Sequence, residues 1–377
     1  MKLILSSKAL LQVMLDTKPA INATAVLPVL ECVLIRVTGK RMTVTATNLE
    51  MIIHRSLDVE AKEDFVFCVS HRDLLKVVKN IPEQPLTISV DKGFLRVIGD
   101  NLEVTIVTDH EENFPKDYEM QTVINFVLTE KMQSDLFPKL LIAKKFVSSD
   151  DLRPSMTGVY IDSKDGVARV AATDAHRLYF KKTEIPFTGE GIIGKGLIIP
   201  SIAIQSICSL FKIKSILGHP LEVEVKIDDN RIQFKSYNTT ITARTIDAKY
   251  PTYDIVIPGN DELPITFSMY SKDMANAIKL CTEFSNKSTN QVKFDIDRLH
   301  VRYESSDMDW GYGVKCSQPV YESNIETEMT KAFNGKFVLE AISIFKDPYI
   351  KFRTSHSSTK PIIINDCVLI MPLMINN

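Results

Sequence analysis

Two stretches of this 377-residue chain repeat one another, and that repeat is the strongest constraint on how it can fold. The first runs Leu86-Thr-Ile-Ser-Val, Asp91-Lys-Gly, Phe94-Leu-Arg-Val-Ile and Asn101-Leu-Glu-Val-Thr-Ile-Val, and closes at Phe114-Pro115. The second runs Leu221-Glu-Val-Glu-Val-Lys-Ile, Asp228-Asp-Asn, Arg231-Ile-Gln-Phe-Lys and Thr239-Thr-Ile-Thr-Ala, and closes at Tyr250-Pro251, 136 residues on. Apolar residues at alternate positions, interrupted by polar turns, predict antiparallel hairpins ending in an aromatic-proline corner. A second echo, Val44-Thr-Ala-Thr-Asn48 against Val170-Ala-Ala-Thr-Asp174, is offset by 126 residues. A weaker third unit holds Val292-Lys-Phe-Asp-Ile, Leu299-His-Val-Arg-Tyr and Tyr349-Ile-Lys-Phe-Arg. Periods beyond ~50 residues point to repeated domains rather than a solenoid. The prediction is three related α+β domains, 1–123, 124–262 and 263–377.

Each domain supplies two helical segments: Ser7 to Lys18 and His71 to Asn80, Thr129 to Phe146 and Ile199 to Lys214, Ser271 to Phe284 and Thr330 to Lys346. Leu10, Leu11, Met14 and Leu15 are expected on the buried face of the first. Pro138 should kink or split the third, and Gly335 should weaken the start of the sixth.

Composition excludes several classes. No apolar run approaches the ~18 residues of a membrane span, the closing Cys367 to Ile375 having only nine. Ser6-Ser7-Lys8 follows the start too soon for a secretory signal. Six scattered cysteines without a Cys-x-x-Cys pair read as reduced, buried thiols of a cytoplasmic protein. The Asn-x-Ser/Thr triplets at Asn22, Asn238 and Asn286 then carry no weight.

The net charge of −2 argues, taken whole, against a partner such as nucleic acid. Its distribution argues the other way. The six helical segments together carry +9, which leaves −11 for the rest. Arg72, Lys76 and Lys79 form a stripe opposite Leu74, Leu75, Val77 and Val78. Solvated helix faces explain one such stripe. Five of six segments biased the same way suggest one basic face built from helices, with an outside that repels polyanions.

No catalytic centre assembles. Gly189-Glu-Gly191-Ile-Ile-Gly194 has the letters of a dinucleotide fingerprint but follows Pro186-Phe-Thr rather than a buried strand, and reads as a flexible connector. Asp174-Ala175-His176-Arg177 lacks a nucleophile signature and reads as structural polar residues at a strand end. The remaining histidines show no metal-ligand spacing, so neither a metal nor a cofactor is expected. The C-terminal Val368-Leu-Ile-Met-Pro-Leu-Met-Ile375 fits an edge strand. It also fits a surface groove in which Met371, Pro372 and Leu373 adapt to several partner peptides.

Taken in order, Leu27-Pro-Val-Leu30, Ala46-Thr-Asn-Leu-Glu-Met51, Phe114-Pro115, Arg153…Gly158, Ala172-Thr-Asp-Ala-His-Arg-Leu178, Tyr250-Pro-Thr-Tyr253 and Met371-Pro-Leu373 resemble the bacterial DNA polymerase III beta subunit, the sliding clamp, over the whole chain. The resemblance implies a DNA clamp fold: three repeated domains, each with two helices on antiparallel sheets, in a head-to-tail homodimer that closes into a ring. It implies a non-enzymatic processivity factor whose partners are double-stranded DNA, DNA polymerase, the clamp loader and other proteins bearing clamp motifs.

The same resemblance assigns residues. A peptide groove between the second and third domains would use Met156, Thr173, Ala175, His176, Arg177, Leu178, Pro251, Val256, Leu369, Met371, Pro372 and Leu373. Leu178, Val256, Leu369 and Met371 would form its floor, with His176 and Arg177 at its rim. Arg72, Lys76, Lys79, Lys139, Lys144, Lys145, Lys212, Lys214, Lys279 and Lys346 would face DNA. At the dimer interface the strand Asn101 to Thr108, through Val104 and Ile106, would meet the third domain near Phe284.

The chain departs from the family at Ala175, usually glycine, at Ile255 and Thr24, usually arginine, and at Pro200-Ser201-Ile202, where basic residues usually follow the proline. It also runs on past the usual ending, to Asn377. Two other functions stay open: a peptide-binding scaffold that no longer loads onto DNA, and a nucleotide-dependent enzyme using the Gly189 loop.

Overall fold

The computed structural model describes residues 1–22, 27–121, 124–186, 196–211, 222–307 and 311–375. Thr24, the Gly189 loop, Lys212 and Lys214 lie outside them. The architecture is α+β, with every strand pair antiparallel and six α-helices among the described residues. They are α1 (Ser7–Thr17), α2 (His71–Lys79), α3 (Glu130–Ala143), α4 (Ser201–Leu210), α5 (Ser271–Glu283) and α6 (Gly335–Ile342). The chain divides into two compact units, residues 1–138 with 189–247, and 139–188 with 248–377; the cut falls inside α3 at Pro138.

The first unit is built on a 13-stranded sheet that contains both halves of the sequence repeat. Strands Pro85–Asp91, Phe94–Gly99 and Leu102–Asp109 form one meander, and Val223–Ile227, Arg231–Ser236 and Thr239–Arg244 form the other. The second meander continues into Met51–Asp58, where Thr240 pairs with His54. Alternation places Leu86, Ile88, Leu95 and Val97 wholly in the core. Both corner aromatics, one in each unit, are buried as well: Phe114 against Val29, Cys32 and Cys68, and Tyr250 stacked on Tyr160.

The buried stripe of α1 is Leu10, Val13, Met14 and Thr17. Leu11 and Leu15 therefore do not share the core face with Leu10 and Met14. The i, i+3, i+4, i+7 spacing, followed strictly from Leu10, selects the observed set. His71, at the start of α2, is buried with Nε2 2.8 Å from the Met14 carbonyl, and burial lowers its pKa. It ties the two helices together.

In the second unit one sheet runs in the order Gly158–Lys164, Val167–Thr173, Arg177–Pro186, Val368–Ile370, Ile362–Ile364, Tyr349–Thr354, Ile265–Tyr270, Glu322–Ser323. The strand Val368–Ile370 is interior, hydrogen-bonded on both sides, and not the edge strand its sequence also suggested. A second sheet holds Tyr312–Pro319, His300–Asp307, Gln291–Ile296 and Met329–Asn334.

Three helix expectations change. α3 is not split at Pro138 but continues from Glu130 to Ala143. Thr330 to Asn334 is strand rather than helix, so Lys331 points into the core, where its ammonium donates to the carbonyls of Ser357 (2.6 Å) and Lys360 (2.9 Å). Burial pushes its pKa down to about 8. Ile199 and Pro200 are likewise strand, ahead of α4. Gly335 serves packing: a Cβ there would lie 2.1 Å from Thr282 Oγ1, so only glycine lets α6 sit this close to α5. Asn334 caps α6, its Oδ1 accepting from the Lys336 and Phe337 N–H groups.

Candidate functional site

The second unit brings the turn from Thr173 to Leu178 together with the C-terminal segment from Leu369 to Met371. Thr173 ends one strand and Arg177 begins the next, with a tight turn between them. Asp174 builds that turn: its Oδ1 accepts from the N–H groups of His176 and Arg177, both at 3.0 Å. Thr173 Oγ1 accepts from Ala175 N–H at 3.1 Å and donates to the Arg177 carbonyl at 2.7 Å. Ala175 adopts φ +76°, a left-handed conformation that glycine takes up more readily than alanine.

Arg177 is not at a rim. Its side chain is 7 % exposed, and it donates to Asp174 Oδ2 (2.9 Å), to Glu340 and to the Lys145 carbonyl (3.0 Å). Its guanidinium also lies over the Phe146 and Phe337 rings, at 4.9 and 4.5 Å. With both faces and most donors engaged, it is the pillar of this corner. His176 remains exposed and stacks on Phe337. Phe146, Phe337 and Glu340 carried no signal in the sequence, because each meets Arg177 only through the tertiary fold.

A second polar cluster fixes the corner carrying Pro251 and Val256. Arg169 bridges Asp162 and Asp254, and stands over the Tyr253 ring at 5.2 Å. Tyr253 donates to Asp162 at 3.1 Å, and Lys164 reaches Asp254 at 3.3 Å. Burial works to raise the Asp254 pKa, but the bonds from Arg169 and Lys164 outweigh it and hold the carboxyl below its usual range. Burial raises the Tyr253 and Tyr250 phenols. The short helix Tyr253–Val256 is thereby held with Ile255 and Val256 exposed.

The C-terminal segment completes the arrangement. Leu178 and Leu369 are register partners and both are buried, so of the four residues expected at the groove floor only Met371 and Val256 are exposed. Met371 N–H donates to the His176 carbonyl at 2.9 Å, and Leu373 bridges antiparallel to Ala332. Pro372, Leu373 and Met156 are half-buried. The result is a fixed backbone presenting adaptable side chains, which suits a short apolar peptide.

The basic residues fall into three groups. Arg72, Lys76 and Lys79 stand exposed on α2 opposite buried Leu74 and Val78, and Asp73 lies 3.7 Å from both Arg72 and Lys76. Lys139 is half-buried on α3, with Lys144 and Lys145 in the 3-10 turn that follows. Lys279 is exposed on α5, and Lys346 is exposed four residues past the end of α6.

Each unit also offers an open strand edge. From Leu102 to Val107, the strand Leu102–Asp109 pairs only with Phe94–Gly99 among the described residues. Val104 and Ile106 are half-buried there, and Val107 is exposed. Tyr312–Pro319 likewise pairs only with His300–Asp307 among the described residues. Phe284, just past α5, is partly exposed and packs edge-on against Tyr312. Val107 and Tyr312 extend the apolar set expected from the sequence.

Among the described residues no group of three or more His, Cys, Asp or Glu could hold a metal, and no helix is long and apolar enough to cross a membrane. All six cysteines are free thiols.

Comparison with known proteins supplies the frame for these surfaces. Residues 1–119 match the model of the DNA polymerase III beta subunit N-terminal domain, and residues 131–252 match that of its central domain. The beta sliding clamp of Rickettsia bellii is 22% identical, with 100% of both chains covered. That of Halalkalibacterium halodurans is 24% identical over 86% of this chain and 85% of its own. Among solved structures, the DNA polymerase III subunit beta clamps of Bartonella birtlesii and Pseudomonas aeruginosa, both bound to griselimycin, superpose with TM-scores of 0.89 and 0.88. Their identities are 21% and 20%, with complete coverage of both chains in each case. The chain belongs to the DNA polymerase III beta subunit family of sliding clamps, as a divergent member.

Proposed function

We propose that two copies of this chain join head to tail into a ring around duplex DNA, where each tethers a polymerase through a peptide seated beside Met371. The observation that carries the reading is the correspondence with beta sliding clamps from end to end of the chain. The open edges support it physically. An edge at Leu102–Val107 and another at Tyr312–Pro319 are different surfaces, so pairing one with the other is heterologous and can close a circle. It also removes the hazard of two unpaired edges.

The role needs no catalytic centre. Lysines on phosphate hold DNA without reading bases, and such contacts let the duplex slide. Persistence comes from closure, and processivity from the high effective concentration of a tethered polymerase at its primer end. The three-domain division, a cytoplasmic setting and loading by a clamp loader belong to the same reading.

The test is retention on nicked circular DNA in high salt after incubation with loader and ATP. Linearising the DNA should release the protein. Lys76→Glu with Lys79→Glu should impair retention while leaving peptide binding intact; unchanged retention removes the basic stripe from the mechanism. Met371→Ala with Leu373→Ala should weaken polymerase binding about tenfold or more, and unchanged affinity removes the groove. A monomeric mass at micromolar concentration would favour the peptide-binding scaffold.

A further inference from the structure

The second unit has another concave surface, at the end of its sheet away from Met371. Along Arg177–Pro186, Arg177 pairs with Ile370 at the groove end and Tyr179 pairs with Val368. Lys181 lies two residues further on, about 13 Å from Arg177 at strand spacing. Here Lys139, Lys181, Lys351, Tyr179 and Tyr349 line a cavity of about 580 Å³. Lys181 and Lys351 are exposed and make no ion pair among the described residues. Of the two carboxylates in the same wall, Asp366 is paired with Arg353 at 3.3 Å, which leaves Asp347 beside Lys181 and Lys351.

Beyond the cavity runs a ledge of tyrosines. Tyr321 lies against Tyr349 with ring centroids 4.3 Å apart, and Tyr270 meets Tyr349 edge-on at 5.7 Å. All three rings are exposed, Tyr321 by 63%. Exposed rings in a row cost solvation and add nothing to the core, whereas nucleobases cover such rings well.

We propose that this cleft and ledge bind an unpaired nucleic-acid strand, with the lysines on its phosphates and the tyrosines under its bases. An acidic peptide would use the lysines but leave the ring faces bare. A free mononucleotide would fill the cavity but not reach Tyr270 and Tyr321, which stand outside its wall. The ligand is therefore a strand of several nucleotides.

The test is fluorescence anisotropy of labelled dT12 with the full-length protein. Binding should weaken about tenfold in Tyr321→Ala and in Lys351→Glu, while retention on nicked circular duplex stays unchanged in both. Two phosphates neutralised on a single strand, by Lys181 and Lys351, should raise Kd about 25-fold per tenfold increase in salt. Absence of dT12 binding overturns the proposal, as does binding that neither substitution alters. Loss of dT12 binding and duplex retention together would also overturn it, because the strand would then share the duplex site. Competition by oligoglutamate equal to that of dT12 would reassign the surface to an acidic protein, and equal competition by dTMP would reduce it to a nucleotide pocket.

Discussion

The turn at Asn48 in the first unit and the turn at Asp174 in the second are one device built twice. Thr47 Oγ1 accepts from Leu49 N–H at 3.0 Å, as Thr173 does from Ala175. Asn48 Oδ1 accepts from the N–H groups of Glu50 and Met51 at 3.1 and 2.8 Å, as Asp174 does from His176 and Arg177. Leu49 and Ala175 have φ +73° and +76°. The difference lies in what the turn delivers. Met51 goes into an apolar core, whereas Arg177 enters a cage of Asp174, Glu340, Phe146 and Phe337 beneath the groove. The repeat kept the backbone and specialised one copy by two exchanges, an amide for a carboxylate and a thioether for a guanidinium.

The largest effect should follow removal of the delivered side chain. Arg177→Ala strands a carboxylate that is 15 % exposed and empties the space between two rings, at a cost of about 3 kcal/mol. Met51→Ala should cost a similar amount through its cavity alone. Urea unfolding separates the two cases. Adding Asp174→Asn should restore part of the loss in Arg177→Ala and none in Met51→Ala. Arg177→Ala should also weaken peptide binding, since the Met371 backbone hangs on the adjoining His176 carbonyl. A cost below about 1 kcal/mol would mean that Arg177 is not the pillar of its corner.

Asp174→Asn alone tests the first exchange. An amide keeps an acceptor for the two turn N–H groups but removes the charge facing Arg177. The expected cost is about 1.5 kcal/mol, the strength of a charge-assisted bond over a neutral one. The same loss in high salt would place the pair out of reach of screening, as its burial requires.

How far this was legible in sequence follows from which forces are local. Alternation and turn residues placed both meanders, because those depend on near neighbours, and the echo of Val44–Asn48 in Val170–Asp174 marked the repeated turn. Reading His176 and Arg177 as structural polar residues at a strand end was right for Arg177. The rim position implied by family resemblance was not, since only tertiary packing brings Phe146 and Phe337 to either side of it. Lys331 was counted into a basic helix because strand and helix both tolerate Thr330 to Asn334; the pairing of Gln291–Ile296 with Met329–Asn334 decided for strand. The Arg169 cluster was missed for a related reason: Asp162 and Asp254 are 92 residues apart and meet only at the corner.

A smaller effect concerns the strained residue. A side chain in the left-handed region costs about 1–2 kcal/mol, part of which glycine returns through its looser unfolded chain. Ala175→Gly should therefore stabilise by about 0.5–1 kcal/mol in thermal or urea unfolding. Leu49→Gly should gain less, because its half-exposed side chain still covers some apolar surface. Equal gains would show that the two turns carry equal strain and that Leu49 packs against nothing of consequence.

The smallest effect is the reverse exchange, Asn48→Asp. The carboxylate would accept the same two N–H bonds, and the residue that follows the turn is Met51, with no cation to bind. The neighbouring ion pair, Arg244 with Glu50 at 3.8 Å, is well exposed on both sides and contributes little. Stability should stay within about 0.5 kcal/mol of the parent, and it should not respond to salt as Asp174 variants do. A stabilisation above about 1.5 kcal/mol would reveal a cation serving the first turn and erase the asymmetry between the copies. A comparable loss would show that the amide N–H₂ of Asn48 has a partner of its own, and that the two turns diverged before the arginine arrived.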